Sequence, residues 1–490
     1  MEIDRLLKKI NPLEIKGKIP DYYKDITDDS RELSENDIFF AIKGVSKDGH
    51  DFLKNITEKV VAIVEKFVED ISIPQILVSS TRKAFFEALQ LKYNLELDRI
   101  PFIAVTGTNG KTTFTYLMES VLKANGKNPG IIGTVNYRCG SLIKSSTHTT
   151  PDMKSFFKIL DEFNKNNCDV VVMEVSSHAL KQNRIGELKF DVALFTNLTP
   201  EHLDFHSDME DYYNSKKILF ERHLKKDGIG VINIDDPYGK RLYEELSDKS
   251  IKGFSFNIKT DYTCALLKMN EKGIDVGIWS KDFSDIISSS LKGRFNAYNL
   301  CGAYITAKNL GIDNNVIKEG LERVKSIPGR LEEIPNECGI SVFVDYAHTP
   351  DALENVLITI KEFAKNRVIT VFGCGGDRDK SKRAPMGRVA SKYSDIVIVT
   401  SDNPRSESPE DIIEDIKKGL DLSKKIIIQP DREKAIKDAI YSARRGDVII
   451  IAGKGHENYQ IFKDKTIHFS DQEVAKKILE IRQCLAHQEN

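Results

Sequence analysis

A glycine-rich turn between an apolar run and a helical pattern is the first feature of the sequence that could do chemistry. Residues 107–113 read GTNGKTT, and they follow the apolar segment 101–105. A helix that begins in such a turn offers backbone N–H groups and the positive end of its dipole to an anion. Lys111 can reach terminal phosphates and Thr112 can help to hold Mg²⁺. The order strand, turn and helix predicts a nucleotide-phosphate site, although Val105 stands where the general phosphate loop has its first glycine.

Further polar clusters follow other apolar runs of the same region. Glu174 ends one run and His202 follows another, while Lys216 lies on a predicted helix. A single histidine after a strand is more often a hydrogen-bonded structural residue than a metal ligand, and a single helical lysine is usually solvated. Their common position at strand ends around a phosphate loop makes Glu174 and His202 candidate Mg²⁺ ligands, although Mg²⁺ prefers oxygen and keeps waters.

Composition limits the classes of function. The 490 residues include 72 basic and 74 acidic side chains, so no general attraction to nucleic acid is expected. No stretch approaches 18 consecutive apolar residues, and residues 1–17 lack the apolar core of a signal peptide. The seven cysteines are scattered without a Cys-x-x-Cys pair, which is typical of a reduced compartment and disfavours a thiolate zinc site. We expect a cytoplasmic protein that neither spans a membrane nor binds nucleic acid.

The elements that must position these residues fall into three predicted domains. Residues 1–98 read as a small α/β module, with strands expected near 38–42, 60–64 and 75–78. Residues 99–330 alternate strands and helices, which predicts a mainly parallel sheet.

Residues 331–490 repeat one design of apolar strand, glycine or polar loop, and helix, which predicts a doubly wound sheet. Its strands are expected at 340–344, 367–372, 395–400 and 447–451. The loops after them are rich in Arg and Lys, which favours anion recognition and above all bidentate Arg–carboxylate contacts. These basic residues are Arg378, Lys382, Arg383, Arg405 and Lys454.

Taken together, the motifs resemble those of the Mur ligase family, the ATP-dependent amide-forming enzymes of peptidoglycan precursor synthesis. The matching segments, in chain order, are GTNGKTT, MEVSSHAL, NLTPEHLDFH, the lysine of DYYNSKK, GRFNAYN, PGRLE and DYAHTPD. The segments DSRELSENDIFFAIKG, KDGH, DNPR and GKGHE are similar to those of the member that adds the third residue of the peptide. The resemblance covers all three predicted domains and implies a UDP-binding domain, an ATP-binding domain and a Rossmann-like ligase domain. The family's phosphate loop is the same shorter version, which accounts for Val105.

The resemblance implies a role for each matching residue. Catalytic roles fall to Lys111, Lys216 and His202. ATP would be held by Gly107, Thr108, Asn109, Gly110, Lys111, Thr112, Thr113, Asn296, Asn299, Arg330 and Asp345. The Mg²⁺ ligands would be Thr112, Glu174, His202 and Lys216, the lysine as a carbon dioxide adduct (carbamate). The UDP-sugar-dipeptide would contact Ser30, Thr149, Thr150, Ser176, Gln182 and Arg184. The incoming amino acid would contact Arg378, Asp402, Asn403, Arg405, Gly453 and Glu457.

The reaction implied is addition of meso-2,6-diaminopimelate to UDP-N-acetylmuramoyl-L-alanyl-D-glutamate by a monomeric enzyme, with ATP and Mg²⁺. Arg405 is expected to bind the distal carboxylate of diaminopimelate; the alternative is that it only ties its loop to a nearby acid such as Glu407. Two rival enzymes remain, a lysine-adding ligase of the same step and a folylpolyglutamate synthetase-like ligase. About 100 residues precede the phosphate loop, which disfavours the second. A nucleotide-dependent switch protein is a third alternative, but residues 164–167 do not complete the Asn-Lys-x-Asp motif of a GTPase.

Overall fold

The computed structural model describes residues 1–44, 47–146, 148–246 and 249–488, with side chains up to residue 484. Helices and strands alternate along most of this length, and parallel strand pairs predominate in its sheets. The α/β class predicted from the sequence is therefore confirmed. The chain forms two compact units, called here the first and the second unit. The first comprises Met1–Ala104, Lys127–Ala193 and Ser215–Gly228, and the second comprises Val105–Gly126, Leu194–Asn214 and the residues from Ile229 onward.

The helices of the described residues are α1 (Ile3–Ile10), α2 (Thr81–Tyr93), α3 (Lys111–Ala124), α4 (Met153–Lys165), α5 (Ser177–Lys181), α6 (Met209–Arg222), α7 (Pro237–Glu245), α8 (Arg294–Asn309), α9 (Asn314–Arg323), α10 (Pro350–Phe363), α11 (Arg383–Tyr393), α12 (Pro409–Lys417), α13 (Arg432–Ser442) and α14 (Asp471–Gln488). Short 3₁₀ turns occur at Ser30–Glu32, Gly49–Asn55 and Leu97–Arg99.

The strands are β1 (Glu14–Lys16), β2 (Ile26–Thr27), β3 (Ile38–Phe40), β4 (Val61–Val64), β5 (Gln75–Leu77), β6 (Phe102–Thr106), β7 (Pro129–Ile132), β8 (Asn136–Cys139), β9 (Leu142–Ser145), β10 (Val170–Glu174), β11 (Phe190–Phe195) and β12 (Leu224–Asn233). They continue with β13 (Ile251–Ser255), β14 (Tyr262–Asn270), β15 (Gly273–Trp279), β16 (Ser284–Ser289), β17 (Glu332–Glu333), β18 (Ser341–Asp345), β19 (Val368–Phe372), β20 (Ile396–Val399), β21 (Lys425–Ile428), β22 (Val448–Ala452), β23 (Tyr459–Ile461) and β24 (Thr466–His468).

The amino-terminal part of the first unit contains a five-stranded sheet in the order β1-β5-β4-β3-β2. Strands β2 to β5 are parallel and only β1 is antiparallel. Helix α2 packs against this sheet, where the rings of Phe40 and Phe85 lie 4.9 Å apart. The helix begins after Ser80, whose hydroxyl accepts a hydrogen bond from the Lys83 N–H at 3.3 Å. The polar residues Ser79, Ser80 and Thr81 at the start of this helical segment are typical of a helix cap, and Ser80 provides it.

Elsewhere in the first unit, β7 and β10 are parallel neighbours. Every residue of β10 is buried, as expected for an apolar strand covered on both faces. The antiparallel hairpin β8–β9 continues from β7. The strands β6, β11 and β12 begin in the first unit and end in the second.

In the second unit, helices α3, α8 and α9 pack together. The contact between α3 and α9 depends on Gly320, where a Cβ atom would lie 2.5 Å from Cα of Val121. Strands β12 and β13 pair in parallel, and β14, β15 and β16 form an antiparallel meander.

The carboxy-terminal part of the second unit contains a six-stranded sheet in the order β17-β18-β22-β19-β20-β21. All neighbours are parallel except the edge strand β17. One face packs against α10, α11 and α12 and the other against α13 and α14, so the sheet is doubly wound. The strands β18, β19, β20 and β22 match the predicted bounds to within one residue.

No observation tests the predicted domain bounds 1–98, 99–330 and 331–490, which remain a prediction. Within the described ranges, no helix combines the length and the apolar character needed to cross a membrane.

A buried ion pair connects α13, α14 and two strand ends of the six-stranded carboxy-terminal sheet. The Arg432 guanidinium donates to both oxygens of Asp471 at 2.7 Å, and neither side chain has any exposed surface. It also donates to the carbonyl of Ala452 at 3.0 Å and to that of Ser401 at 3.2 Å. Burial opposes the charge, but Asp471 raises the pKa of Arg432 above its ordinary value. One guanidinium therefore fixes the residues that begin the loops after β20 and β22.

Replacing Arg432 by Met should destabilise the protein by about 3–5 kcal/mol, because the Asp471 carboxylate would remain buried without its partner. The measurement is the urea midpoint followed by circular dichroism. Arg444→Met, which changes an exposed arginine in the same unit, is the control. Equal midpoints for the two variants would contradict the role assigned to the buried pair.

Candidate active site

The phosphate-loop glycines lie in backbone conformations that other residues rarely adopt. Gly107 has φ +149° and Gly110 has φ +89°. A Cβ atom at Gly107 would lie 1.9 Å from Oγ1 of Thr196, and one at Gly110 would lie 2.4 Å from Oδ1 of Asn299. Both positions therefore require glycine for conformation and for space.

Thr196 and Asn197, which follow β11, hold the phosphate loop by hydrogen bonds. The Asn109 N–H donates to Oδ1 of Asn197 at 2.9 Å, and the Thr196 hydroxyl donates to the Asn109 carbonyl at 2.6 Å. The Thr108 N–H donates to the backbone carbonyl of Asn197 at 2.9 Å. Hydrogen bonds from the residues after β11 therefore hold the loop conformation.

Lys111 and Arg330 place two cations at this loop. The Lys111 ammonium donates to the carbonyls of Gly107 at 2.8 Å and Thr108 at 2.7 Å, so it lies over the turn. The Arg330 guanidinium donates to the Thr112 hydroxyl at 3.1 Å. A group bound at the start of α3 would meet both positive charges and the helix dipole.

A cavity of about 340 Å³ lies beside the start of α8, which carries the buried asparagines Asn296 and Asn299. Its lining includes Asn296, Leu291, Lys292, Arg330 and Leu331. Both asparagines are buried and fixed in orientation. Asn299 donates to Asn296 at 3.1 Å, and Asn296 donates to the Lys292 carbonyl at 2.8 Å. The rest of the lining is mostly charged and polar, and Leu291 and Leu331 are its apolar part.

Asp345 fixes the segment that carries Arg330. Its two carboxylate oxygens accept hydrogen bonds from the N–H groups of Leu331 at 2.6 Å and Ala347 at 2.7 Å. Burial raises the pKa of Asp345, against the opposing effects of Arg330 and the two N–H groups. The Arg330 guanidinium also lies 4.8 Å from the ring centre of Tyr346. Asp345 therefore acts on the predicted nucleotide site through the position of Arg330.

Glu201 lies between two histidines of the same unit. His348 Nε2 lies 3.4 Å from one carboxylate oxygen, and His202 Nε2 lies 3.6 Å from the other. Burial opposes ionisation, but the hydrogen bond from His348 and the nearby His202 and Lys111 hold the pKa of Glu201 well below its usual range. His202 has φ +59°, a left-handed conformation that is uncommon for this residue type.

In the first unit, five of the predicted substrate and metal residues form one hydrogen-bonded network. The Thr150 hydroxyl donates to the Glu174 carbonyl at 2.9 Å and accepts from the Ser176 N–H at 3.0 Å. The Arg184 guanidinium donates to the Thr150 carbonyl at 3.3 Å and to Oε1 of Gln182 at 2.8 Å. The structure therefore brings these residues together at the end of β10.

Glu174 and Lys216 are both buried within the first unit. The two oxygens of Glu174 accept from the N–H of Thr134 at 3.1 Å and from its hydroxyl at 2.8 Å. That hydroxyl also lies 3.1 Å from the Thr149 hydroxyl, which connects Thr149 to the network.

The predicted metal ligands Thr112 and His202 belong to the second unit, whereas Glu174 and Lys216 belong to the first. Among residues whose side chains the structure describes, no group of three or more His, Cys, Asp or Glu could hold a metal ion.

Ser30 begins the 3₁₀ turn Ser30–Glu32 and is half-buried. The Asp29 carboxylate accepts from the Arg31 N–H at 3.0 Å and caps this turn. An ion pair between Glu32 and Lys154 joins the turn to α4 within the first unit.

The loops after β20 and β22 bring together most of the predicted amino-acid residues. The Asn403 amide donates to Oε2 of Glu457 at 2.9 Å. A Cβ atom at Gly453, which has φ +116°, would lie 2.7 Å from Oδ2 of Asp402. Arg405 has φ +54°, and its guanidinium donates to the Gly376 carbonyl at 2.8 Å. These five residues therefore belong to one site of the second unit.

Arg405 makes no ion pair with a carboxylate among the described residues. Glu407 pairs instead with Arg383 at 2.9 Å and Lys380 at 3.1 Å. The Arg405 guanidinium donates to the backbone carbonyls of Gly376 and Asn403. Arg378 lies on the adjacent loop and is exposed, with a hydrogen bond to the Asp377 carbonyl.

Two family models match the chain. One is the Mur ligase middle domain over residues 105–307, and the other is the glutamate ligase domain of Mur ligases over residues 329–455. A curated relative from Clostridium tetani, a UDP-N-acetylmuramoyl-L-alanyl-D-glutamate–2,6-diaminopimelate ligase, is 42% identical over 98% of this chain and 99% of the relative. The chain belongs to the Mur ligase family.

Two further comparisons agree with this assignment. A ligase of the same name from Aquifex aeolicus is 44% identical, and the match covers 93% of each chain. A solved structure of a UDP-N-acetylmuramoyl-L-alanyl-D-glutamate–2,6-diaminopimelate ligase is 31% identical, with a TM-score of 0.71. The match covers 97% of this chain and 99% of that chain.

Sequence reasoning missed two threonines that support the site of this Mur ligase. Thr196 fills the space left by Gly107, and Thr134 holds the Glu174 carboxylate. Lys454, which the sequence favoured for anion recognition, lies buried beside Asn403. Thr134 and Thr196 also follow apolar strands, which was the available signal. A threonine after a strand is too common to be selected on that ground alone.

Replacing Gly110 by Ala should weaken ATP binding by about tenfold or more, because the methyl group must displace Asn299 or the loop. Gly126→Ala is a matched control. Gly126 also has positive φ, at +72°, but no atom lies within 4 Å of its built Cβ. This control should cost about 1–2 kcal/mol of stability and leave nucleotide affinity unchanged. Calorimetric titration with ATP measures the affinity of each variant. Equal ATP affinities for Gly110→Ala and Gly126→Ala would contradict the packing argument.

Proposed function

We propose that this Mur ligase adds meso-2,6-diaminopimelate to the D-glutamyl side-chain carboxylate of UDP-N-acetylmuramoyl-L-alanyl-D-glutamate, using ATP, in peptidoglycan precursor synthesis. The observation that carries the proposal is the match along nearly the whole chain to ligases named for this reaction, at 42% identity. A folylpolyglutamate synthetase-like activity is disfavoured because the match includes the residues before the phosphate loop.

The reaction runs through two displacements. An oxygen of the D-glutamyl carboxylate attacks the γ-phosphorus of ATP, and the bond to ADP breaks to leave an acyl phosphate. The amine of diaminopimelate then attacks the acyl carbon, phosphate leaves, and the nitrogen loses a proton to give the amide. The protein contributes mainly position and charge, since the phosphoryl group and carboxylate supply the reacting atoms.

The phosphate loop holds the terminal phosphates of ATP on backbone N–H groups at the start of α3, since the N–H groups of Thr108 and Asn109 already donate to Asn197. Lys111, which lies over the turn, stabilises the negative charge on the transferring phosphoryl group. The residues after β11 hold the loop backbone in place by hydrogen bonds. Asn296, Asn299 and Arg330 bind the base and ribose beside the 340 Å³ cavity, and Asp345 fixes Arg330.

Mg²⁺, when bound, neutralises phosphate charge and orients the phosphoryl group. Thr112, Glu174, His202 and Lys216 would hold it, the lysine as a carbamate. Hydroxyl, carboxylate and carbamate oxygens suit this cation, and Glu174 is already oriented by Thr134. Lys216 has only 1% of its surface exposed. A buried ammonium beside a divalent cation would be repelled, whereas a carbamate presents negative charge and two oxygens.

Replacing Lys216 by Ala should abolish most activity and leave the fold intact, because the carbamate oxygens would be lost. Added acetate or formate should restore part of the rate. Lys217→Ala is the control on the same helix, since Lys217 is partly exposed and pairs with Glu221 at 3.1 Å. Full activity of the folded Lys216→Ala enzyme would refute the carbamate role.

The UDP-sugar-dipeptide contacts Ser30 and the network at the end of β10, formed by Thr149, Thr150, Ser176, Gln182 and Arg184. The hydrogen bonds within this network support the proposed role, because they orient its hydroxyl and guanidinium groups before substrate binds.

The incoming amino acid binds at the loops after β19, β20 and β22, through Arg378, Asp402, Asn403, Arg405, Gly453 and Glu457. Arg405 binds the carboxylate at the far end of diaminopimelate, which lysine lacks. Its planar guanidinium can pair with both carboxylate oxygens, and it makes no ion pair with a described side chain that would compete. With lysine bound, the guanidinium would face a like charge, so selectivity comes from repulsion as well as attraction.

Arg405→Ala should lower kcat/KM for meso-diaminopimelate by several powers of ten and change kcat/KM for lysine little. Arg405→Lys keeps the charge but loses the bidentate geometry, so it should fall between wild type and Arg405→Ala. The measurement is kcat/KM for both amino acids in the three proteins. Equal use of lysine by wild type, or an equal loss for both substrates, would favour the lysine-adding alternative.

The test of the function is phosphate release from ATP with the muramoyl-dipeptide nucleotide and each amino acid in turn. Release that requires both the nucleotide substrate and meso-diaminopimelate supports the ligase. Steady hydrolysis of ATP without an amino acid would favour the switch protein. We propose that the reaction takes place in the cytoplasm, because the scattered cysteines without a Cys-x-x-Cys pair are typical of a reduced compartment. A monomer remains the prediction for the oligomeric state.

A further inference from the structure

Lys454 is a fully buried lysine between the two loops of the amino-acid pocket. Its side chain has no exposed surface, whereas the Glu457 side chain keeps 14% of its surface exposed. The Lys454 ammonium donates to Oε2 of Glu457 at 2.9 Å and to Oδ1 of Asn403 at 3.1 Å. Lys454 therefore lies behind two residues of the pocket and contacts both.

These contacts fix the orientation of the Asn403 amide. Its Oδ1 accepts from Lys454 and also from the backbone N–H of Ile461 at 3.0 Å. Two donors can face only the oxygen of the amide, so Nδ2 must point the other way. One N–H of Nδ2 goes to Glu457. In the described part of the chain no second acceptor receives the other N–H, which leaves it for a ligand.

We propose that Lys454 is a positioning residue of the amino-acid pocket. Its buried ammonium holds the Asn403 amide as a donor toward the carboxylate of the incoming amino acid. It also holds the Glu457 carboxylate as an acceptor for the amino acid's ammonium. The proposal rests on the proposed function, since it needs an amino acid as the substrate of this pocket.

A buried lysine at this position restrains its partners, because an unpaired buried ammonium is unfavourable in free energy. Burying an ammonium is unfavourable unless it is paired and hydrogen-bonded, so its two partners must stay where they are. A neutral side chain of similar length would fill the space without this demand. The Asn403 amide could then turn over, and the Glu457 carboxylate could rotate away from the pocket. An amino acid that needs one donor and one acceptor would lose both at once.

The test is Lys454→Met, which keeps the length and removes the charge. Its KM for meso-diaminopimelate should rise about tenfold or more, with KM for ATP and for the muramoyl-dipeptide nucleotide within about twofold of wild type. Lys463→Met, which changes an exposed lysine before β24, is the control and should match wild type. An unchanged KM for the amino acid, or an equal rise in all three values, would overturn the proposal.

A second comparison separates positioning from a general structural effect. In a protein that already carries Asn403→Ala and Glu457→Gln, the added Lys454→Met should change the amino-acid KM little, because its two partners are gone. This background also removes the charge left by Lys454→Met, so it keeps the test valid if the single variant folds poorly. A further tenfold rise in that background would mean that Lys454 acts by another route.

Failure of the function and failure of this inference give different results. If wild type uses lysine in place of diaminopimelate, the assigned substrate is wrong. A selective rise in KM for lysine in Lys454→Met would then still support the positioning role. If wild type uses diaminopimelate and Lys454→Met leaves its KM unchanged, the function stands and the positioning role is wrong.

Discussion

The close approach of two glycines to their neighbours is the constraint on which the nucleotide site depends. Gly107 lies against Thr196, and Gly110 lies against Asn299, at distances that leave no room for a Cβ atom. These contacts set the loop backbone before any phosphate arrives, so binding need not include the cost of ordering it. They also place the start of α8 directly beside the start of α3. The position of Asn296 and the adjacent cavity follows from that contact.

A similar arrangement recurs at the carboxy-terminal sheet, where buried charges hold the loops. Arg432 bonds the carbonyls of Ser401 and Ala452, and Lys454 bonds side chains just beyond these residues. Each buried cation destabilises the fold if it loses its partners, so the positions of those partners are restricted. The groups that would meet substrate, such as the half-buried Arg405, are thus carried by loops with little freedom. Pre-positioned donors of this kind stabilise charge without reorganisation during the reaction.

Local sequence patterns predicted the strands, the phosphate loop and most strand-end clusters because these depend on neighbours in the chain. The strand that ends in Asp345 and the cap at Ser80 are examples. Contacts between distant segments could not be predicted this way. Thr134 holds Glu174 across 40 positions, and Lys454 meets Asn403 across 51. The sequence left Glu407 open as an alternative partner of Arg405, whereas the structure pairs Glu407 with the buried Arg383.

The central claim is that the phosphate loop transfers a phosphoryl group to the substrate carboxylate. Its most direct test uses a muramoyl-dipeptide nucleotide with ¹⁸O in the D-glutamyl side-chain carboxylate. After ligation, mass spectrometry of the released phosphate measures the label. An acyl phosphate predicts one ¹⁸O atom in each phosphate, because the carboxylate oxygen that attacked phosphorus leaves with it. Unlabelled phosphate, or label found in AMP, would contradict the account.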